Sequence, residues 1–189
     1  VIGRLAFDII RNNDLIGTHV LTFRRRGDGF DVASAVDIAV RVGPIVLFRY
    51  ELSGLEQWEK GVMTPARAWT DDDGTPASMR CDRRDDGLGV SGSETVSYSA
   101  PPDAVLATHW NRAELDGPWI NPRDGRLFRP IVARRGVESI ARSDGSTDSA
   151  EHFVLSGDVG LELRYDSMQC RTALRFTARD RSEIRYRRN

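Results

Sequence analysis

The chain has 189 residues, 40% hydrophobic and 29% charged, with a formal net charge of −1. That length and balance suit one globular domain with a sizeable core. A net charge this small leaves no global field to draw in nucleic acid or an anionic membrane, and no run of 18 apolar residues offers a helical span.

In chain order, Arg4–Ile10 alternates as a strand, Asn12-Asn13-Asp14 turns it, and Leu15–Arg24 returns. Phe30, Val32, Val36, Ile38, Val40 and Val42 then alternate with smaller or polar residues, the clearest period-2 run in the chain. At ~3.4 Å per residue it spans roughly 40 Å, a length that predicts a coiled sheet or barrel wall. Gly43-Pro44 breaks the run. Val46–Leu52 alternates next, and Glu56–Lys60 and Val62–Thr70 read as a further hairpin around Gly61. Asp71–Gly74 turns into Ala77–Arg83, and Asp85–Gly87 into Leu88–Tyr98.

Pro101-Pro102-Asp103 changes the character of the chain. Asp103 suits the cap of a short helix over Ala104–Asn111. Asp116–Gly125 reads as a loop, and strands resume at Leu127–Ala133 and Glu138–Arg142. His152–Leu155, Val159–Tyr165, Arg171–Arg179 and Glu183–Arg187 close the chain. In the third of these, Thr172, Leu174, Phe176 and Ala178 share one face. Arg171, Ala173, Arg175 and Arg179 share the other, as in a sheet wet on one side. Six Asp-Gly pairs punctuate the chain, at 28, 73, 86, 116, 124 and 144. Asp-Gly supplies the positive φ angles of tight hairpins, so the expected fold is all-β: a single-domain antiparallel meander over 1–189, forming a barrel or strongly coiled open barrel with one short helix.

The chemistry-bearing motifs are few. Gly87-Leu88-Gly89-Val90-Ser91-Gly92 fits G-x-G-x-x-G, but strand-like residues follow it where a dinucleotide site needs a helix. Asp71-Asp72-Asp73-Gly74 lacks EF-hand spacing and reads as a hairpin tip. His19, His109 and His152 are too far apart to suggest a metal triad. His19 reads as a structural histidine among apolar strand neighbours, and His152 as a surface residue. No metal and no cofactor are expected.

Cys81 and Cys170 fit no redox or zinc motif. Their register with Met79, and with Met168, Leu174 and Phe176, puts both on the core face. Two free thiols and one disulfide both remain open.

Thr108-His109-Trp110-Asn111 gathers a base, an aromatic and an amide. It suits a pocket mouth, and equally a plug in which Trp110 seals a barrel end and Asn111 caps backbone. Trp58, Trp69, Trp110 and Trp119 lie in the central half of the chain. Aromatics with a few polar groups make small-molecule sites and also fill β cores. The candidate ligand-binding residues are Trp58, Trp69, His109, Trp110 and Asn111; none is assigned a catalytic role. Glu56 and Glu59, three apart on a strand, face opposite ways and do not make an acid–base pair.

Several short stretches together resemble an uncharacterised bacterial domain family, found mainly in proteobacteria, whose members are exported proteins of about this size. They are Ile16-Gly17-Thr18-His19, Arg49-Tyr50, Glu56-Gln57-Trp58-Glu59-Lys60-Gly61, Thr70-Asp71-Asp72-Asp73-Gly74, His109-Trp110-Asn111, Leu155-Ser156-Gly157-Asp158, Leu163-Arg164-Tyr165-Asp166 and the Phe176–Tyr186 ending. Arg164 stands where that family usually has Trp, and Gln169-Cys170 where a Gly-Arg type turn is common. The resemblance implies an exported all-β protein like the curved-sheet proteins of the bacterial envelope, some of which hold lipid-like molecules.

The expected function is therefore that of a non-catalytic cell-envelope protein, extracytoplasmic and periplasmic, with an apolar small molecule or lipid as its partner and no nucleic acid. A chain that starts at Val1 fits a leader that was cleaved and equally one left out of these residues. The alternatives are a hydrolase using the His109–Asn111 region and a structural or interaction protein with a filled barrel. Whether the interior is hollow decides among them.

Overall fold

The computed structural model describes residues 1–189. Its strands are β1 (Gly3–Arg11), β2 (Asp14–Arg26), β3 (Gly29–Val42), β4 (Ile45–Glu59), β5 (Val62–Asp72), β6 (Thr75–Arg84), β7 (Gly87–Gly92) and β8 (Thr95–Ala100), then β9 (Val105–Leu106), β10 (Trp119–Ile120), β11 (Leu127–Phe128), β12 (Pro130–Ala141), β13 (Thr147–Gly157), β14 (Leu161–Tyr165), β15 (Arg171–Thr177) and β16 (Glu183–Arg188). One 3-10 helix covers Arg112–Asp116.

Thirteen strands form one antiparallel sheet in the order β12-β13-β14-β15-β16-β1-β2-β3-β4-β5-β6-β7-β8. The first and last strands of the chain, β1 and β16, pair in the middle of it. The edges are therefore β8 and β12, which are not joined to each other, so the barrel stays open. Residues 101–129 run from one edge to the other. They carry a small sheet, β11-β10-β9, and lie across the inner face of the large one. Leu106 and Ile120 pack with Leu5, Phe7, Leu21 and Met79 in the largest core cluster. Trp119 packs with Phe153, Leu163 and Tyr165 in a second.

Of the six Asp-Gly pairs only Asp73-Gly74 has positive φ at both residues, and Asn12-Asn13 and Lys60-Gly61 make the same kind of turn. Asp73 and Gly74 take φ of 53° and 85°, and the Asp71 carboxylate accepts from the Gly74 N–H at 2.6 Å. The glycines of 87–92 serve close approach within β7. A Cβ on Gly92 would lie 2.1 Å from the Asp124 carbonyl oxygen, so that glycine lets the crossing segment settle onto the sheet.

Four expectations are corrected. The helix over Ala104–Asn111 is replaced by β9 and by the 3-10 helix one turn later. The Val105 and Ala107 N–H groups are used by Pro118 and Ile120 carbonyls, while the Asn111 side chain accepts from the Ala113 N–H and starts the turn there. The stretches Val46–Leu52 and Glu56–Lys60 belong to one 15-residue strand, β4. Met168 is 79% exposed rather than core-facing, because it sits in the Asp166–Cys170 turn. Arg171 is wholly buried rather than outward-facing. Tyr165 pairs with Arg171 while Arg164 pairs with Ala173. Thr172 is thus the extra residue of a bulge, and a one-residue slip reverses the faces on either side of it. Cys81 and Cys170 are both free, the first buried and the second half-buried.

Candidate functional site

Two polar centres lie where the crossing segment meets the inner face. The first is Glu56 on β4, only 1% exposed. Thr108 donates to its Oε1 at 2.5 Å. The indole N–H groups of Trp58 and Trp110 donate to its Oε2 at 3.0 and 3.4 Å. Burial pushes its carboxyl up to about 7, against the opposing pull of those three donors. Near neutrality the group is therefore poised between its two forms. Below that pH a neutral Glu56 keeps both indole bonds and donates its own proton to Thr108.

Around this carboxyl the rings of Phe23, Phe30, Trp58 and Trp110 interlock. Phe30 stacks on Trp58 with centroids 6.2 Å apart. Trp110 meets Phe23 and Trp58 edge-on at 5.3 and 5.4 Å. Trp58 and Trp110 also wall a cavity of about 240 Å³ together with Met63, Val105, Leu106 and Asn111.

The second centre begins at His109, whose φ of +59° is a left-handed conformation uncommon outside Gly, Asn, Asp and His. That twist sends Thr108 and Trp110 to Glu56 and His109 the other way. His109 Nδ1 lies 2.9 Å from Glu114 Oε1, and the Tyr165 hydroxyl donates to the same oxygen at 2.5 Å. The Trp119 indole N–H donates to the Glu114 carbonyl, and its ring lies 4.8 Å from the His109 ring. Burial and the adjoining Glu114 hold the Tyr165 phenol well above its ordinary range, so it remains a donor.

His109 also lines a separate cavity of about 170 Å³ between the crossing segment, β2–β4 and β15–β16. His19 and Arg171 stand in its wall with Leu52, Leu174 and Tyr186. His19 is 5% exposed. Burial, reinforced by Arg171, holds its imidazole well below the ordinary value. It is neutral, with Nδ1 accepting from Arg171 Nη2 at 2.8 Å and Nε2 donating to Ser34 at 3.0 Å.

Of the residues singled out in the sequence, Trp58, Trp110 and Asn111 meet at the first cavity and His109 at the second. Asn111 caps the 3-10 helix and bridges to Cys170. Trp69 is not brought to either. It points outward from β5 and is 44% exposed. Glu56, Glu114 and Arg171 were missed as centres. The alternation of β4 already placed Glu56 on the same face as Leu52 and Trp58, a charge where apolar residues belong. No local signal marked Glu114 or Arg171.

The outer face is different. Glu138, Glu162, Arg164 and Arg175 form a ladder of ion pairs across β12, β14 and β15, and His152 on β13 adds a hydrogen bond to Glu162. Arg164, the position where the resembled family has Trp, belongs to this ladder and to neither cavity.

An open antiparallel β barrel whose inner face is crossed by one chain segment defines the class. Within that class, residues 7–189 match the family described as Domain of unknown function (DUF6134), and the chain belongs to it. The chain is also similar in structure to the beta-barrel-like protein of domain of unknown function DUF1849 from Brucella abortus. The two share 8% identity and a TM-score of 0.67 over 98% of this chain and 94% of that one. At that identity the likeness carries the fold alone. No curated relative matches the chain.

Proposed function

We propose that the protein is a non-catalytic binding protein of the bacterial envelope that takes a small, largely apolar molecule on the inner side of its sheet. The observation that carries this reading is the cavity of about 240 Å³ walled by Trp58, Met63, Leu106 and Trp110. Aromatic and aliphatic walls with a few polar groups are what small-molecule sites use. Its volume lies below the range of drug-sized pockets, about 300–1,000 Å³, so a whole lipid does not fit without movement of the crossing segment. The ligand is a small apolar molecule, or one acyl tail of a larger one. The extracytoplasmic, periplasmic location rests on the resemblance of short sequence stretches to an exported bacterial family.

The hydrolase alternative has one observation in its favour, the His109–Glu114 hydrogen bond beside a cavity. Half of a triad needs a nucleophile within reach of the base. The Ser34 and Thr108 hydroxyls that line the same cavity are engaged by His19 and Glu56 instead. Binding therefore explains the arrangement with fewer missing parts.

Tryptophan emission tests the reading. Titration with short alkanes and fatty alcohols is expected to shift the emission saturably, and Trp110→Phe to remove most of the shift. Native mass spectrometry of protein purified from its own cells is expected to show a bound apolar species. An unchanged spectrum and no bound species would leave the structural alternative. Ester hydrolysis abolished in His109→Ala would establish the enzyme.

A further inference from the structure

We infer that the cavity between the crossing segment and β15 is a second binding site, for a small organic monocarboxylate whose head group docks on Arg171 and whose short apolar tail lies against Leu52, Val36 and Phe176. The inference stands apart from the preceding reading, because the two cavities share no lining residue.

Arg171 carries the argument. It is 0% exposed, yet no carboxylate of the protein pairs with it. Its one side-chain hydrogen bond goes to the neutral His19 ring, and its Nε and Nη1 have no partner. Arginine stays protonated in proteins. A buried cation is costly unless it is paired and hydrogen-bonded. The aromatic faces of Phe7 and Tyr186, 4.0 and 5.4 Å from the guanidinium carbon, stabilise it in part. Glu114 is a buried carboxylate on the crossing segment, but its Oε1 is taken by His109 and Tyr165 and its Oε2 by the His109 N–H. The guanidinium is left without a carboxylate partner in the wall of a cavity otherwise lined by hydrocarbon, hydroxyls and the His19 and His109 rings.

The walls select the class of anion. Ser34, Tyr50 and Tyr186 bring hydroxyls, and Val36, Leu52, Leu174 and Phe176 bring hydrocarbon. A multiply charged phosphate would find one cation only. A monocarboxylate accepts from the guanidinium and hydroxyl groups and leaves its tail against hydrocarbon. The volume of about 170 Å³ equals roughly six waters at about 30 Å³ each, room for a chain of a few carbons.

The test uses hexanoate, with hexanol as the uncharged molecule of the same length and inorganic phosphate as the anion without a tail. Calorimetry of the wild-type chain at pH 7 is expected to show saturable hexanoate binding, with hexanol weaker by about tenfold or more, the loss of one charge-assisted hydrogen bond. Phosphate is expected not to displace hexanoate. Arg171→Met is expected to lose hexanoate binding and to melt higher than the wild type, since an apolar chain replaces an unpaired buried cation. Equal binding of hexanol, displacement by phosphate, no hexanoate binding at millimolar concentration, or unchanged binding in Arg171→Met would each overturn the assignment. The comparison of hexanoate with hexanol needs no variant, so it decides the matter even where Arg171→Met does not fold.

Discussion

At the scale of single residues, the buried carboxyl of Glu56 makes folding depend on pH. In the unfolded chain it titrates near its ordinary value of 4.5, and in the folded chain near 7. The folded state therefore holds the proton more tightly. The stability this confers is fully present below pH 4.5 and is lost as pH rises through 7, by an amount on the order of 3 kcal/mol. The expected outcome is a wild-type chain that loses stability between pH 5 and pH 8 in denaturant titrations, and a Glu56→Gln variant that loses much less over that window. Parallel curves for the two proteins would mean that Glu56 is ionised throughout. The two thiols should also differ. Cys81 is fully buried, and burial pushes its thiol up to about 11. Cys170 is half-buried in a turn. A thiol reagent should label Cys170 well before Cys81, because only the exposed thiolate reacts readily. Mass spectrometry of the labelled peptides checks the order.

At the scale of elements, the crossing segment is held by a few close approaches. Gly92 is the tightest, with its missing Cβ only 2.1 Å from the Asp124 carbonyl oxygen. The Thr95 hydroxyl donates to that same oxygen, and the Tyr98 hydroxyl donates to the Gly125 carbonyl. Gly92→Ala must push the segment off β7, and such overpacking costs about 1–3 kcal/mol. Urea titration should show that loss, together with a changed tryptophan spectrum, since the segment carries Trp110 and Trp119. Asn111 matters for another reason. Its side chain starts the 3-10 helix, and a lost cap costs about 0.5–2 kcal/mol. That helix carries Glu114, so Asn111→Ala is expected to loosen the His109–Glu114–Tyr165 group as well as to lower stability. The imidazole proton chemical shifts of His109 report that loosening.

At the scale of the whole molecule, the two chain termini meet at the centre of the sheet rather than at its edges. β16 is bonded to both β15 and β1. Terminal segments are usually tolerant of deletion, but here removal of Glu183–Asn189 splits the sheet between its two halves. The truncated chain is expected to lose cooperative thermal unfolding. Replacement of residues 103–126 by a flexible linker of equal length should act differently. The thirteen-strand ladder has its own hydrogen bonds, but its inner face loses Leu106, Trp119 and Ile120. A compact state with retained strand signal and bound hydrophobic dye is expected. A cooperative melt without dye binding would show that the sheet can close on itself.

Much of the ladder was legible in the sequence because its signals are local. Turn residues such as Asn12-Asn13 and Asp73-Gly74 and the period-2 runs set the hairpins, and the alternation of 30–42 is the observed β3 almost residue for residue. Trp58, His109, Trp110 and Asn111 were visible as unusual residues, and the structure brings each to one of two cavities. Local signals stop at bulges and at long-range packing. Arg171 looks like one more solvent-facing arginine until the extra residue Thr172 turns it inward, which depends on how β15 pairs with β14. The helix expected at Ala104–Asn111 gives way to pairing with β10, a strand some fifteen residues further along whose position no local pattern reveals. The sequence by itself determined an antiparallel meander, since turn chemistry and side-chain alternation act between near neighbours. Only the tertiary structure decided that the barrel stays open and that its inner face is crossed by residues 101–129. It alone buries Glu56 and Arg171 beside cavities, because burial and close approach depend on parts of the chain that sequence distance keeps apart.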